Sequence, residues 1–247
     1  MAPHLVGTGC HAGLGMEWVH LSVCMSLDGH IDTAGGNRLV LSSEEDCHDM
    51  HRLRAECDAI LVGAGTVRRD EPRLTVRYPE LLAARRMRGQ PDQPAKVTLT
   101  RSGQLDPASG FFAPGSDPIV LCPEEGLPDL RRHLGDVARL AALPAPGPAG
   151  ILSALSRFGI RRLMVEGGCQ VLTQFLEAGA FHRLRLAVAP FLLGQPQAPR
   201  IAGPGTFMNG PDRRLRILGT RTLGNIAVID MENETPCFAT GDGAPGG

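Results

Sequence analysis

The chain has 247 residues, 43% of them hydrophobic and 21% charged, enough for a substantial core and unlike a disordered chain or a coiled coil. Its 25 basic and 26 acidic residues leave a net charge of −1, so no strong field draws nucleic acid or an anionic membrane to it. Lys96 is the only lysine, which confines any Schiff-base chemistry to one position, and no Gly-Lys-Ser/Thr phosphate loop is present.

Residues 1–16, rich in Gly and His, read as a loose leader before a regular domain over 17–234. Trp18–Met25 reads as a strand, followed by a tight turn at Asp28-Gly29 and a short extended piece, His30–Asp32. Ser42-Ser43-Glu44-Glu45 has the form of a capping box with Ser42 as N-cap, opening a helix that runs to about Glu56. Met50, Leu53 and Cys57 mark its core face. Arg54 lies about 40° round the helix from Met50, at the margin of that face, whereas Arg52 points away. A buried anion partner and a structural salt bridge both remain open for Arg54. Ala59–Val62 is an apolar run typical of a strand covered on both faces, after which Gly63–Thr66 turns the chain. Asp70–Arg77 reads as a loop because Pro72 forces its predecessor out of the helical region and Leu-Thr-Val favours extended backbone. Residues 78–95 read as a short helix plus exposed loop, Val97–Leu99 and Ile119–Leu121 as strands, and Pro144–Pro148 as a stiff linker. A helix over Ile151–Phe158 leads to the strand Leu163–Val165, and Glu166-Gly167-Gly168 opens a further helix ending near Gly179. Arg183–Ala189, Arg214–Arg221 and Ile226–Asp230 complete the strands, the last two forming an antiparallel edge hairpin through Gly224-Asn225. Residues 235–247 read as a disordered tail.

The alternation of strands and helices predicts an α/β domain with a mostly parallel sheet. The seven cysteines include no C-x-x-C pair, so neither a zinc site nor a disulfide framework is indicated, and the reducing cytoplasm is expected. The histidines show no spacing that assembles a metal site or a triad. No apolar run approaches the ~18–20 residues a membrane span requires.

Two glycine-rich turns are expected at strand carboxyl ends, where open α/β sheets bind ligands. Glu166-Gly167-Gly168 gives close backbone approach, and the N–H groups of Gly168, Cys169 and Gln170 suit a diphosphate; an ordinary turn with an exposed Glu is the competing reading. Gly63-Ala64-Gly65-Thr66-Val67-Arg68 has Arg68 where a Rossmann fingerprint needs its third glycine, so only a second glycine turn survives. On neighbouring strands the two would share one crevice.

Together, Ser26–Gly29, the helix containing His51–Ala55, Asp58–Thr66, Asp70–Arg77, Val165–Gly168 and Ala189–Gly194 resemble the riboflavin-pathway pyrimidine reductases. These are relatives of the reductase half of the bifunctional deaminase–reductase, with a dihydrofolate-reductase-like fold. The likeness covers about residues 18–230. It implies an NADPH-dependent reductase that converts a phosphoribosylamino-pyrimidine to its ribitylamino product by hydride transfer to the sugar C1′, in the form of a homodimer. By the same resemblance Cys24, Val40, Gly65, Thr66, Asp70, Gly167, Gly168, Cys169, Gln170, Val171, Leu172 and Gln174 line the NADPH site. Arg38, Arg54, Leu74, Arg77 and Glu166 face the substrate, with the arginines on its phosphate and Glu166 as the catalytic residue. Arg101 and Ser102 are placed to meet the 2′-phosphate of NADPH. Arg38 stands where the family commonly has Ser, Val40 where a larger Trp or Ile is frequent, and the deaminase motifs H-x-E and P-C-x-x-C are missing. Two rival readings are a same-fold reductase recruited to an imine or unsaturated heterocycle and a non-catalytic nucleotide- or pterin-binding module. Dihydrofolate reduction ranks lower, for want of that enzyme's helix carboxylate. Glu166→Gln is expected to depress turnover far more than folding stability.

Overall fold

The computed structural model describes residues 16–35, 39–115 and 117–238. These build one sheet from β1 (Trp18–Ser26), β2 (Ala59–Gly63), β3 (Ala95–Leu99), β4 (Pro118–Cys122), β5 (Arg139–Ala142), β6 (Arg162–Gly167), β7 (Arg183–Ala189), β8 (Arg216–Leu223) and β9 (Ile226–Glu232). The order across the sheet is β5-β4-β3-β2-β6-β1-β7-β9-β8. From β5 to β7 every neighbouring pair is parallel; β9 runs antiparallel to both β7 and β8. The edge hairpin expected from Gly224-Asn225 is therefore present.

Period-2 alternation distributes the central strands between two cores. On β2, Ala59 and Leu61 join one apolar cluster, while Ile60 and Val62 join the other. The first cluster is covered by α5 (Gly147–Ser156) and α6 (Cys169–Ala178) through Ile151, Leu152, Leu155, Val171, Leu172 and Phe175. The second lies under α1 (Glu44–Glu56) and α4 (Leu127–Leu134), with Leu53, Leu127, Leu130 and Leu134. Each such aliphatic side chain, fully buried, stabilises the fold by about 1.5–3 kcal/mol.

Local signals misplace several boundaries. The N-cap of α1 is Ser43, not Ser42: its Oγ accepts the Asp46 N–H at 3.2 Å and donates to the Leu223 carbonyl at 3.0 Å. Tertiary contacts favour this phase, because it buries Asp46 against Arg185 of β7. Gly63–Thr66 is not a free turn, since α2 (Ala64–Asp70) starts at once. A second helix, α3 (Pro79–Met87), follows the 71–78 loop and packs on α1. Sequence reading missed α4 and β5, and the supposed linker contains the start of α5, with Pro148 in its first turn. Proline suits that position because it lacks only an N–H that is unpaired in any helix. At the two ends of the described chain Met16 is buried, and the Cys237 N–H donates to the Gly179 carbonyl at 3.0 Å, so residues 235–238 stay on the body.

Two buried cations fix the outer parts of the sheet. Lys96 on β3 is 1% exposed, and its Nζ donates to the Phe111 carbonyl at 2.8 Å; burial lowers its pKa. Arg185 on β7 bonds Asp46 and Asp49 of α1, and Arg221 of β8 bonds Asp49 and Asp230. This network ties α1 to the edge hairpin. Burial alone raises the Asp49 carboxyl, but its bonds and attraction to Arg221 and Arg185 prevail and bring it down to about 2. A carboxyl lowered on folding contributes stability fully above its unfolded value, ~3.9, and loses it as pH falls through the folded one. Urea midpoints should accordingly fall more steeply from about pH 4 towards pH 2 in the native chain than in Asp49→Asn. Equal slopes would remove Asp49 from the acid transition.

Candidate active site

The carboxyl ends of β2 and β6, neighbours in the sheet, carry the two glycine turns. They touch: the Gly168 N–H donates to Thr66 Oγ1 at 3.2 Å. A Cβ on Gly168 would stand 3.0 Å from the same oxygen, and one on Gly63 would stand 3.1 Å from Val171 Cγ2, so at either position a side chain would press its neighbour by a few tenths of an ångström. Gly167 has φ +124, a conformation that L side chains rarely adopt, and the Gly167–Gly168 peptide is cis. Helix α6 then starts with no acidic residue in its first turn. Its leading N–H groups, at Cys169 and Gln170, have no intrahelical acceptor and carry the positive end of the helix dipole.

Just before this turn β6 bulges. Leu61 pairs with Val165 and Val62 with Gly167, so Glu166 is the extra residue, and a bulge of this kind re-aims a side chain. Glu166 points to the α1 side and meets Arg54. Arg54 Nε donates to Glu166 Oε1 at 2.5 Å and Nη2 to Oε2 at 2.6 Å, while Nη1 donates to the Thr75 carbonyl at 3.2 Å. The two side chains are only 8% and 9% exposed. Burial opposes the Arg54 charge, but the attraction and hydrogen bonds of Glu166 outweigh it and raise the guanidinium pKa.

The 71–78 loop forms the third wall. Glu71 and Leu74 sit in the left-handed region at φ 43 and 47, costing roughly 1–3 kcal/mol each for non-glycine residues. Surrounding structure holds them there: Leu74 is buried in the apolar cluster, and Gln93 clamps Val76 through both its N–H and its carbonyl, at 2.7 and 2.9 Å.

Several expected site residues are placed otherwise than the sequence suggested. Gly168 has its N–H taken by Thr66, leaving Cys169 and Gln170 to face an anion. Arg54 is engaged by Glu166 and Thr75, so it is not a free phosphate ligand. Leu74 is in the core, as are the side chains of Val171 and Leu172, while Val40 is 76% exposed. Arg38 lies outside the described residues. Cys24 is half-buried, and burial pushes its thiol up to about 11. Gly65 and Arg77 are exposed; Asp70, the last residue of α2, and Gln174 of α6 are half-buried. Sequence reasoning missed His51, buried beside Arg54 and 5.2 Å from the Tyr78 ring; burial first, then Arg54 and Arg77, lower it to about 4. It also missed the wider role of Asp28, which accepts the N–H groups of Leu193 and Gly194 at 3.0 and 2.7 Å and so ties the end of β1 to the 191–194 loop. The juxtaposed Ser-Leu-Asp-Gly and Pro-Phe-Leu-Leu-Gly segments carried that signal. Among the described residues no cluster of three His, Cys, Asp or Glu is placed to hold a metal.

This mostly parallel sheet with its antiparallel edge hairpin is a dihydrofolate-reductase-like α/β architecture. The family model of the RibD C-terminal domain matches residues 17–229, and the chain belongs to that family. It is 31% identical over 197 residues to a protein of Archaeoglobus fulgidus, covering 77% of this chain and 88% of that one. It is 32% identical over 219 residues to one of Methanothermobacter thermautotrophicus, covering 86% and 96%. Both relatives are named 2,5-diamino-6-ribosylamino-4(3H)-pyrimidinone 5′-phosphate reductase. The solved RibD of Acinetobacter baumannii superposes with a TM-score of 0.73 at 25% identity, over 88% of this chain and 58% of that one. The chain thus spans little more than half of that RibD.

The ion-pair geometry alters the expectation for Glu166. Removing one partner of a buried, hydrogen-bonded pair costs about 3–5 kcal/mol, whereas replacing both with apolar groups of similar volume is often neutral. Glu166→Gln should therefore lower the unfolding free energy by about 3 kcal/mol, and Arg54→Met with Glu166→Leu should recover most of it. Urea denaturation of the three proteins checks this; a fully stable Glu166→Gln would contradict the buried pair.

Proposed function

We propose that the chain is an NADPH-dependent reductase of riboflavin biosynthesis, converting 5-amino-6-(5-phosphoribosylamino)uracil, or its diaminopyrimidinone analogue, to the ribitylamino product. The observation that carries this reading is the Thr66–Gly168 contact, which joins the two glycine turns two residues along the chain from Glu166 of the Arg54–Glu166 pair. The names of the two relatives matched over most of their length supply the substrate class.

The residues fit a dinucleotide. The free N–H groups of Cys169 and Gln170 suit a diphosphate, and the absence of an acid in the first turn of α6 leaves the helix dipole uncompensated there. A cavity of about 310 Å³ whose lining includes Arg101, Ser102, Gly103, His133 and Asp129, the last paired with Arg132, opens after β3, two strands along from β6, or ~10 Å at the usual strand spacing. A guanidinium binds phosphate through two parallel bonds, so Arg101 favours NADPH over NADH. When bound, the nicotinamide supplies the hydride that reduces the sugar C1′. The protein contributes alignment and exclusion of water. Arg54 orients the Glu166 carboxylate, which holds the polar groups of the substrate, and exposed Arg77 receives its phosphate. A homodimer and a cytoplasmic location are carried over from the family resemblance, and the free cysteines among the described residues suit a reducing compartment.

The test is to mix purified protein with the phosphoribosylamino-pyrimidine and NADPH and to follow dinucleotide oxidation. Turnover is expected. Its absence with NADPH binding intact would favour a same-fold reductase recruited to another imine or unsaturated heterocycle; loss of dinucleotide binding as well would favour a non-catalytic module. Gly168→Ala, which sets a Cβ against Thr66, should weaken NADPH binding about tenfold, roughly 1.4 kcal/mol. Arg101→Ala should weaken NADPH by about the same factor and leave NADH unchanged. Fluorescence titration with each dinucleotide reads both, and equal losses for the two would take Arg101 off the 2′-phosphate.

A further inference from the structure

Residues 71–78 lie outside the strands of the sheet, yet both backbone polar groups of Val76 are satisfied, and by one side chain. Gln93 Oε1 accepts the Val76 N–H at 2.7 Å, and Gln93 Nε2 donates to the Val76 carbonyl at 2.9 Å. Two directly opposed residues of an antiparallel ladder exchange the same pair of bonds. A carboxamide can imitate them because it carries a donor and an acceptor at one planar end; a carboxylate offers acceptors alone and an ammonium donors alone. Gln93 is itself held from both sides. The buried Pro94 keeps it out of the helical region, and beyond it the Ala95 N–H donates to the Asp58 carbonyl at 2.8 Å. Ahead of it, the Pro91 carbonyl accepts the Nε–H of the fully buried Arg85 at 2.8 Å.

The clamp reaches further than Val76. In a planar trans peptide the N–H and the preceding carbonyl point opposite ways. Holding the Val76 N–H therefore turns the Thr75 carbonyl away from Gln93, and that carbonyl accepts Arg54 Nη1 at 3.2 Å. Holding the Val76 carbonyl likewise fixes the peptide plane that leads into Arg77. Arg77 is exposed, and its guanidinium has no ion-pair partner among the described residues, so the backbone alone sets where it stands. Upstream, Glu71 and Leu74 keep their left-handed conformation, which persists only where the surroundings over-determine it.

We propose that Gln93 is a positioning residue of the carboxyl-end site: acting through Val76, it holds Arg77 where the phosphate of the substrate is received and the Thr75 carbonyl against Arg54. The identity of that ligand rests on the reductase reading, whereas the clamp rests on the two hydrogen bonds alone.

The experiment compares the native full chain with Gln93→Leu, Arg77→Gln and the double variant. Gln93→Leu keeps the size of the side chain and loses both bonds; Gln93→Ala, in which water can take the place of the amide, stands in if Gln93→Leu fails to fold. Amide hydrogen exchange over residues 72–78 should quicken at least about tenfold in the Gln93 variants, with the rest of the chain unchanged. That readout is independent of what the chain reduces, and native protection there overturns the clamp. In turnover with the phosphoribosylamino-pyrimidine and NADPH, Gln93→Leu should raise the KM of the pyrimidine about tenfold. Its kcat and its Kd for NADPH should stay within about twofold of native. Added to Arg77→Gln, it should raise KM by no more than about twofold, because two residues that act as a unit are not additive. An unaltered KM, an additive effect in the double variant, or an equal loss of NADPH affinity overturns the positioning role. A native chain without turnover sinks the reductase reading and the phosphate role with it, while the exchange result still decides the clamp.

Discussion

The carboxyl-end architecture depends on a single buried charge pair. For Arg54 and Glu166 to meet at two points with less than a tenth of either side chain exposed, three segments have to agree. Helix α1 must turn Arg54 inward, β6 must take up an extra residue at Glu166, and the 71–78 loop must present the Thr75 carbonyl to the remaining guanidinium nitrogen. Such pairs add little net stability against an apolar replacement but penalise any arrangement that separates them. The pair thus specifies where the loop and the glycine turn stand relative to each other.

The two sides of the crevice use different physics. On the glycine side of the proposed crevice the available groups are backbone N–H groups and a helix terminus, brought close because Gly63 and Gly168 have no Cβ to crowd Val171 and Thr66. Partial charges of this kind suit a diphosphate without requiring a buried cation. On the other side the groups are ionic. Arg54 is committed internally, so Glu166 is held in one orientation, and Arg77 remains exposed at the rim.

Much of this was legible in the sequence because the signals were local. The run Ala59–Val62 and the Gly-Gly after Glu166 mark strands ending in glycine turns, and Gly224-Asn225 marks the edge hairpin. What failed was set by tertiary contacts. The α1 cap moves from Ser42 to Ser43 to satisfy Asp46 with Arg185, and β5, four residues long at the sheet edge, has too short a pattern to read. The bulge at Glu166 leaves no trace in composition. Arg54 sits at the edge of the helix's core face, where both a ligand contact and a salt bridge were open, and the register of β6 against β2 brings it to Glu166. Of the residues carried over by resemblance, Leu74, Val171 and Leu172 have their side chains in the core, a placement that motif likeness alone does not reveal.

Lys96, with its ammonium capped by the Phe111 and Ala113 carbonyls, leaves the folded chain without a single solvent-facing side-chain amine. Reagents and enzymes that modify lysine therefore find no accessible lysine side chain until the 109–115 segment lifts away from β3. Modification of that one amine becomes a clock for local opening, and arginine carries the cationic character of the exterior instead.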